Sequence, residues 1–268
     1  MNNNITINIL TRTSNRPDGF RQCYESVNRQ TYTHIKHYVS YDNEKTFSYL
    51  EDFNIIPVQV SVKKKDKPKV DAQGNLYAPY NLYCNELLDK VEDGWVIFLD
   101  DDDRLFNDNV LYGIAKLISN CSKNTLIIGR MRYPNGKLIP SRESIEAEII
   151  KQNDIGSPCV VFHSKFKNSA CWDDYKRSDF RFIKQLESII PHTIYTTKIF
   201  TQINNFGDFG RKTDINLKLP RSFYKSKKTY NLIPKYHVRL GNMYIFHPET
   251  YKRFFKKLIL KFKTLLKF

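Results

Sequence analysis

Four consecutive carboxylates, Asp100, Asp101, Asp102 and Asp103, close the apolar run Gly94-Trp95-Val96-Ile97-Phe98-Leu99. Adjacent acids repel one another unless a cation neutralises them. Hard divalent ions such as Mg2+ and Mn2+ take oxygen ligands of this kind and often keep substrate phosphates as further ligands. One or two aspartates would suit a solvated turn, since Asp is favoured at helix caps and first turns. Four of them, in a chain whose formal net charge is +15, point instead to a metal or nucleotide site.

The elements around the acids must hold them where a ligand can reach. Trp95 to Leu99 is short, β-branched and aromatic without polar alternation, the pattern of a strand covered on both faces in a mostly parallel sheet. Ligands of open α/β sheets bind beyond the carboxyl ends of the strands, which is where the acids fall. Upstream, Ile5 to Leu10 reads as the first strand, Thr11 to Pro17 as the loop leaving it, and Phe20, Tyr24 and Val27 as one face of a helix that Pro17 starts and that runs to about Gln30. Ile35 to Ser40 makes a second strand that closes on Tyr41-Asp42-Asn43, where Asp42 could simply cap the next segment. No Gly-x-Gly-x-x-Gly turn joins these strands, which speaks against a dinucleotide site of the dehydrogenase type. Ile55 to Val62 is a third β-rich run. The basic stretch Lys63 to Lys69 after it suits a solvated loop or the approach of a diphosphate, and Tyr77 to Val91 reads as a helix feeding the central strand. Beyond the acids the pattern gives a helix over Asn109 to Ser119, a strand over Thr125 to Arg130, and an Asn-Gly turn within Tyr133 to Lys137 flanked by extended residues. Glu146 to Lys151 is too short to place. A Gly-Ser-Pro turn then leads into an apolar strand ending at Phe162, a helix follows through Phe182, Leu186 and Ile189, and His192 to Phe200 reads as a last strand.

Phe98 to Asp103 resembles the Asp-x-Asp signature of GT-A glycosyltransferases, and is most similar to the family 2 type, whose members often carry Phe-Leu-Asp-x-Asp-Asp here. The resemblance spans roughly residues 5 to 200 and is most specific at the acid run. It implies an α/β fold, a GT-A Rossmann-like αβα sandwich with a mostly parallel central sheet. It also implies an inverting, metal-dependent transfer of a sugar from a nucleoside-diphosphate sugar to an acceptor hydroxyl on a glycan, a lipid-linked carrier or a protein. By the same resemblance Asp102, with Asp100, would hold Mn2+ or Mg2+. Thr11, Arg12, Asp42, Asn81, Asp100, Asp101 and Arg211 would line the donor site, with Asp42 at its nucleoside and Arg211 and Lys212 in a loop closing over its phosphates, although a plain surface loop would carry those two residues as well. Ser178-Asp179 looks like the acidic element, often Glu-Asp, that supplies the catalytic base, with Asp173 and Asp174 as the nearby alternatives. The Gln-x-x-Arg-Trp element of processive members is absent from the sequence, which points to single-sugar transfer.

At 268 residues the chain can bury an ample core, and 41% hydrophobic with 14% aromatic residues excludes a disordered protein. The five cysteines are scattered without a C-x-x-C pair, against both a zinc site and a disulfide framework. Met1-Asn2-Asn3-Asn4 is not the start of a signal peptide, and no apolar run approaches the ~20 residues of a membrane span. A cytoplasmic protein is therefore expected, one that could sit peripherally on the cytosolic membrane face. We divide it into a catalytic domain over residues 1–220 and an extension over 221–268. The extension ends in Lys252 to Phe268, where Phe254, Phe255, Leu258, Phe262, Leu265 and Leu266 follow a helical period. Seven lysines and arginines, with no acid among them, flank that apolar face, the composition of an interfacial helix on an anionic membrane, although docking on the protein's own core would use the same face. Two other readings compete. A haloacid-dehalogenase-like phosphatase would place its Asp-x-Asp nearer the N-terminus, and a non-catalytic nucleic-acid- or membrane-binding module would leave the acids without a role. No nucleic acid is expected as partner, because the basic residues concentrate in the final helix.

Overall fold

Strand β1 (Ile7–Arg12) lies between β2 (Ile35–Tyr41) and β4 (Trp95–Phe98), parallel to both, with Ile7 opposite Ile35 on one side and Trp95 on the other. The computed structural model describes residues 5–61, 67–204, 237–240 and 243–246. Edge strand β3 (Ile56–Gln59) extends the parallel half of the sheet beside β2. On the other side β4 meets β8 (Val160–His163) antiparallel. The sheet then continues through β6 (Thr125–Arg132), β9 (His192–Ile203) and β5 (Asp103–Leu105), with the short β7 (Leu138–Ile139) hung on β6.

The alternation of side chains along these strands sorts the core into two layers. Leu10, Val96, Phe98, Leu126, Ile128 and Phe162 share one face with Leu87 of α3 (Tyr83–Asp89) and with Phe182, Ile183 and Leu186 of α6 (Ser178–Ile189). Ile7, Ile9, Trp95, Ile97, Ile127 and Val161 face the opposite way, onto α1 (Pro17–Asn28) and α4 (Val110–Ile118). All four residues of β4 are buried, as its unbroken apolar sequence requires for a strand covered on both faces. The result is an α/β sandwich of the Rossmann-like type, with its parallel strands aimed at the acid run. Smaller helices α2 (Glu44–Leu50) and α5 (Arg142–Glu146) fill connections, and α5 begins where the sequence pattern gave no assignment.

Local differences from the sequence reading have physical causes. The helix expected over Tyr77 to Val91 is split. Tyr77 is extended and bridges Tyr175, Pro79 opens a 3-10 turn to Leu82, and only then does α3 begin. Of the run Ile55 to Val62, the described part forms β3 over Ile56–Gln59 and continues its pairing with β2 through the Val60 N–H on the Tyr41 carbonyl, 2.9 Å, while Val62 lies outside the described residues. The acid run, read as lying where the central strand stops, returns to the sheet at its last residue. Asp103 opens β5, which pairs antiparallel with the end of β9 through Asp103 opposite Ile203 and Leu105 opposite Thr201. Strand β9 reaches that far by running beside β6 through two register shifts between Ile128 and Met131.

Past residue 204, β10 (His237–Leu240) and β11 (Met243–Phe246) form an antiparallel pair. Lys63 to Asp66 of the basic loop, Arg211 and Lys212, and the whole of Lys252 to Phe268 lie outside the described residues. Among the described residues no helix is long and apolar enough to cross a membrane.

Candidate active site

The acids are sorted by depth as the chain turns from β4 into β5. Asp100 remains a third exposed and accepts from Arg12, whose Nη2 and Nε lie 2.8 and 3.2 Å from Oδ1. Arg12 in turn donates from Nη1 to Asn81 Oδ1 (3.0 Å), and Asn81 Nδ2 donates to the carbonyl of Tyr175 (2.8 Å). Three residues singled out in the sequence, Arg12, Asn81 and Asp100, thus form one hydrogen-bonded chain. The Arg12 guanidinium also stands 5.6 Å from the ring of Tyr80 and 5.7 Å from that of Trp172, which orient a planar cation. Burial works against its charge, but Asp100 beside it more than compensates and raises its pKa.

Asp101 and Asp102 are buried and share a second arginine. Arg16 Nη1 lies 2.9 Å from Asp101 Oδ1 and 3.0 Å from Asp102 Oδ2. Thr13 Oγ1 donates to the other oxygen of Asp101 at 2.8 Å and also meets the Tyr49 hydroxyl at 2.8 Å. Burial pushes the Asp101 carboxyl up to about 7, with Arg16 opposing and Asp102 adding to the rise. Asp102 is raised by burial and by Asp100, against Arg16, and Asp103 is held well above the usual carboxylate range by burial and by Asp102. Such acids are short of positive charge, and their hard oxygens suit a divalent cation. Among the described residues no three His, Cys, Asp or Glu side chains stand together as a complete metal cage, so an ion held here would draw ligands from water and a phosphate-bearing substrate as well.

Asp179 joins this centre from far along the chain. A crevice of about 220 Å³ is lined by Asp100, Asp102, Asp103 and Asp179 together with Met131, Tyr133, Ile139, Ile155, Pro158 and Ile203. Asp179 sits in the first turn of α6, where Oδ1 accepts from the Phe180 N–H at 2.8 Å, and burial raises its pKa despite that bond. Gly156 keeps the approach open: a Cβ there would stand 3.0 Å from Met131 Sδ and 3.9 Å from Asp179 Oδ2. The neighbouring acids are engaged elsewhere. Asp173 pairs through both oxygens with Arg181, and Asp174 is buried against Lys67.

The remaining sequence candidates take different places. Asp42 is exposed at the end of β2 and accepts from Ser14 Oγ (3.2 Å), Asn43 Nδ2 (2.6 Å) and Tyr83 OH (3.0 Å). It does not cap α2; Asn43 does, accepting from the Thr46 N–H. Tyr83, the partner of Asp42, opens α3, two residues beyond Asn81. Thr11 is fully buried and its Oγ1 meets His37 Nε2 at 2.9 Å, so its side chain faces the interior between β1 and β2. Arg211 lies outside the described residues. Sequence reasoning passed over Thr13, Arg16, Tyr49, Tyr80, Tyr83, Gly156 and Trp172. Thr13 and Arg16 stand in the loop leaving β1, and a loop from the neighbouring strand end is the one signal that could have marked them.

No protein-family model matches this chain, and no curated protein matches it by sequence. Its fold does match solved structures. S. aureus TarS aligns with 74% of this chain at 16% identity and a TM-score of 0.55. TarS 1–349 in complex with UDP-GlcNAc aligns with 78% of it, also at 16% identity and a TM-score of 0.55, and the complex of the same portion with UDP aligns with a TM-score of 0.52. The aligned region spans 36% of TarS and 61% of the 1–349 portion. The fold is therefore GT-A-like, shared with TarS.

Proposed function

We propose that this protein is a glycosyltransferase that moves one sugar from a nucleoside-diphosphate sugar to an acceptor hydroxyl, inverting the anomeric configuration with the help of a divalent metal. One observation carries the reading: Asp179, on a separate helix, faces the same crevice as the acids that end the central strand. The likeness to a structure with UDP-GlcNAc bound, at the level of fold, makes uridine diphosphate sugars the first donors to try.

In this reading Asp42 and Tyr83 receive the nucleoside, while Arg12, held by Asn81 and by the Tyr80 and Trp172 rings, fixes Asp100 at the ribose and phosphate side. Asp102, with Asp100, would hold Mn2+ or Mg2+, and that ion would supply positive charge where the leaving diphosphate becomes negative. Asp101, tied to Thr13 and Arg16, shapes the turn, and Asp103 anchors it in the sheet. On the opposite side Asp179 takes the proton from the acceptor hydroxyl as its oxygen attacks the anomeric carbon. Its raised pKa makes it a stronger base than an exposed aspartate. A single displacement on one face inverts the configuration. Arg211, the division at residue 220, a cytoplasmic location and membrane contact through Lys252 to Phe268 belong to the same proposal, supported by sequence pattern and charge.

The test is a thermal-shift screen of nucleoside diphosphates and their sugars with and without Mn2+, since a ligand that binds only the folded protein raises its apparent stability. Asp102→Ala is expected to lose the metal-dependent shift and sugar transfer while keeping its fold. Full transfer by that variant, or by the wild type in excess chelator, overturns the metal assignment.

A further inference from the structure

Arg16 sits on Asp102, the carboxylate proposed to hold the metal. Its Nη1 bridges Asp101 Oδ1 and Asp102 Oδ2 at 2.9 and 3.0 Å, and its side chain is only 14% exposed. The backbone holds it in place: its carbonyl accepts from the Phe20 N–H at the start of α1, and its own N–H donates to the Tyr49 hydroxyl. With Arg12, the last residue of β1, on Asp100 and Arg16, in the loop after it, shared by Asp101 and Asp102, the first three acids have two cations between them. A divalent ion on Asp102 would compete with the guanidinium for the same carboxylate. Two cations side by side in a partly buried site repel more strongly than they would in water, because the surroundings screen them less. An arriving diphosphate reverses that balance. Its oxygens offer the guanidinium a bidentate acceptor and offer the ion further ligands.

We propose that Arg16 is a built-in counter-cation: it holds Asp101 and Asp102 in the nucleotide-free protein and yields Asp102 to a divalent ion only when a nucleoside diphosphate arrives. Metal and nucleotide then enter together, and free divalent ions alone gain little hold. The inference rests on the metal reading under Proposed function, but it concerns a positioning residue outside the acid run and Asp179.

Mn2+ binding, followed by the electron paramagnetic resonance of the free ion with and without UDP, tests it. Wild type should bind Mn2+ weakly alone and at least about 10-fold more tightly with UDP, whereas Arg16→Gln should bind Mn2+ alone about 10-fold more tightly than wild type and gain correspondingly less from UDP. Arg16→Lys keeps a charge but reaches one carboxylate rather than two. It should shift Mn2+ affinity in the same direction by a smaller factor, and it carries the test if the Gln variant does not fold. Equal or weaker Mn2+ binding by the variants without UDP overturns the role of Arg16 and leaves the metal reading standing. No Mn2+ binding by wild type even with UDP overturns both.

Discussion

Asp173, Asp174 and Asp179 lie within a few residues of one another, and their surroundings give them different work. Arg181 engages Asp173 through both oxygens and Lys67 pairs with Asp174, while Asp179 opens onto the crevice. Asp179→Asn is therefore expected to reduce transfer by about 10²-fold or more, because Asn cannot take a proton, with donor affinity and melting temperature unchanged. Steady-state kinetics on Asp179→Asn, Asp173→Asn and Asp174→Asn separate the alternatives. Wild-type turnover in the first together with a dead enzyme in either of the others would show the base misassigned. Only part of this was readable in the sequence: its order along the chain puts an acid at the start of α6, but no pattern announces which neighbours have salt-bridge partners.

At the scale of elements, β1, β2 and α1 meet over His37. Its Nε2 is bonded to Thr11, its Nδ1 is buried without a partner among the described residues, and the ring packs beside Phe20 and Tyr24. Burial pushes its pKa down to about 3 from an ordinary 6.5. As pH falls below 6.5 the unfolded chain takes up a proton that the folded protein refuses, so this group withdraws stability down to about pH 3, by up to about 1.4 kcal/mol per pH unit. Asp101, raised to about 7, acts in the opposite sense, since its folded form binds a proton first and gains stability as pH falls. The histidine contribution is isolated by difference. Denaturant unfolding of wild type and His37→Gln should show the wild type losing its advantage steadily from pH 7 to pH 4. A difference that stays constant over that range would contradict the assignment.

For the whole molecule, the excess of positive charge is the dominant sequence feature, and the final seventeen residues concentrate it beside an apolar periodicity. If Lys252 to Phe268 lies on a membrane, the protein should sediment with vesicles containing anionic lipid. Each basic residue near the surface contributes about 1 kcal/mol, and high salt should weaken the effect. A chain truncated after Glu249 is expected to stay in the supernatant; equal sedimentation of the truncated and full chains would refute the anchor.

The sequence by itself determined the central strand, the parallel order of the first strands and the position of the acids at a strand end, because burial on both faces demands an unbroken apolar run and the acids interrupt it at a definite residue. The family resemblance singled out Arg12, Asn81 and Asp100, and the structure joins them in one hydrogen-bonded chain. What only the tertiary structure decided is how the four acids differ. Asp103 is drawn into β5 by a strand about a hundred residues away in the chain, Asp101 and Asp102 are turned inward onto Arg16, and Thr11 faces His37 while Thr13 meets the site. Neighbouring residues of one type carry the same local propensity. Which of them is buried, paired or open to a ligand is set by the long-range contacts that close the sheet and by the cost of burying a charge without a partner.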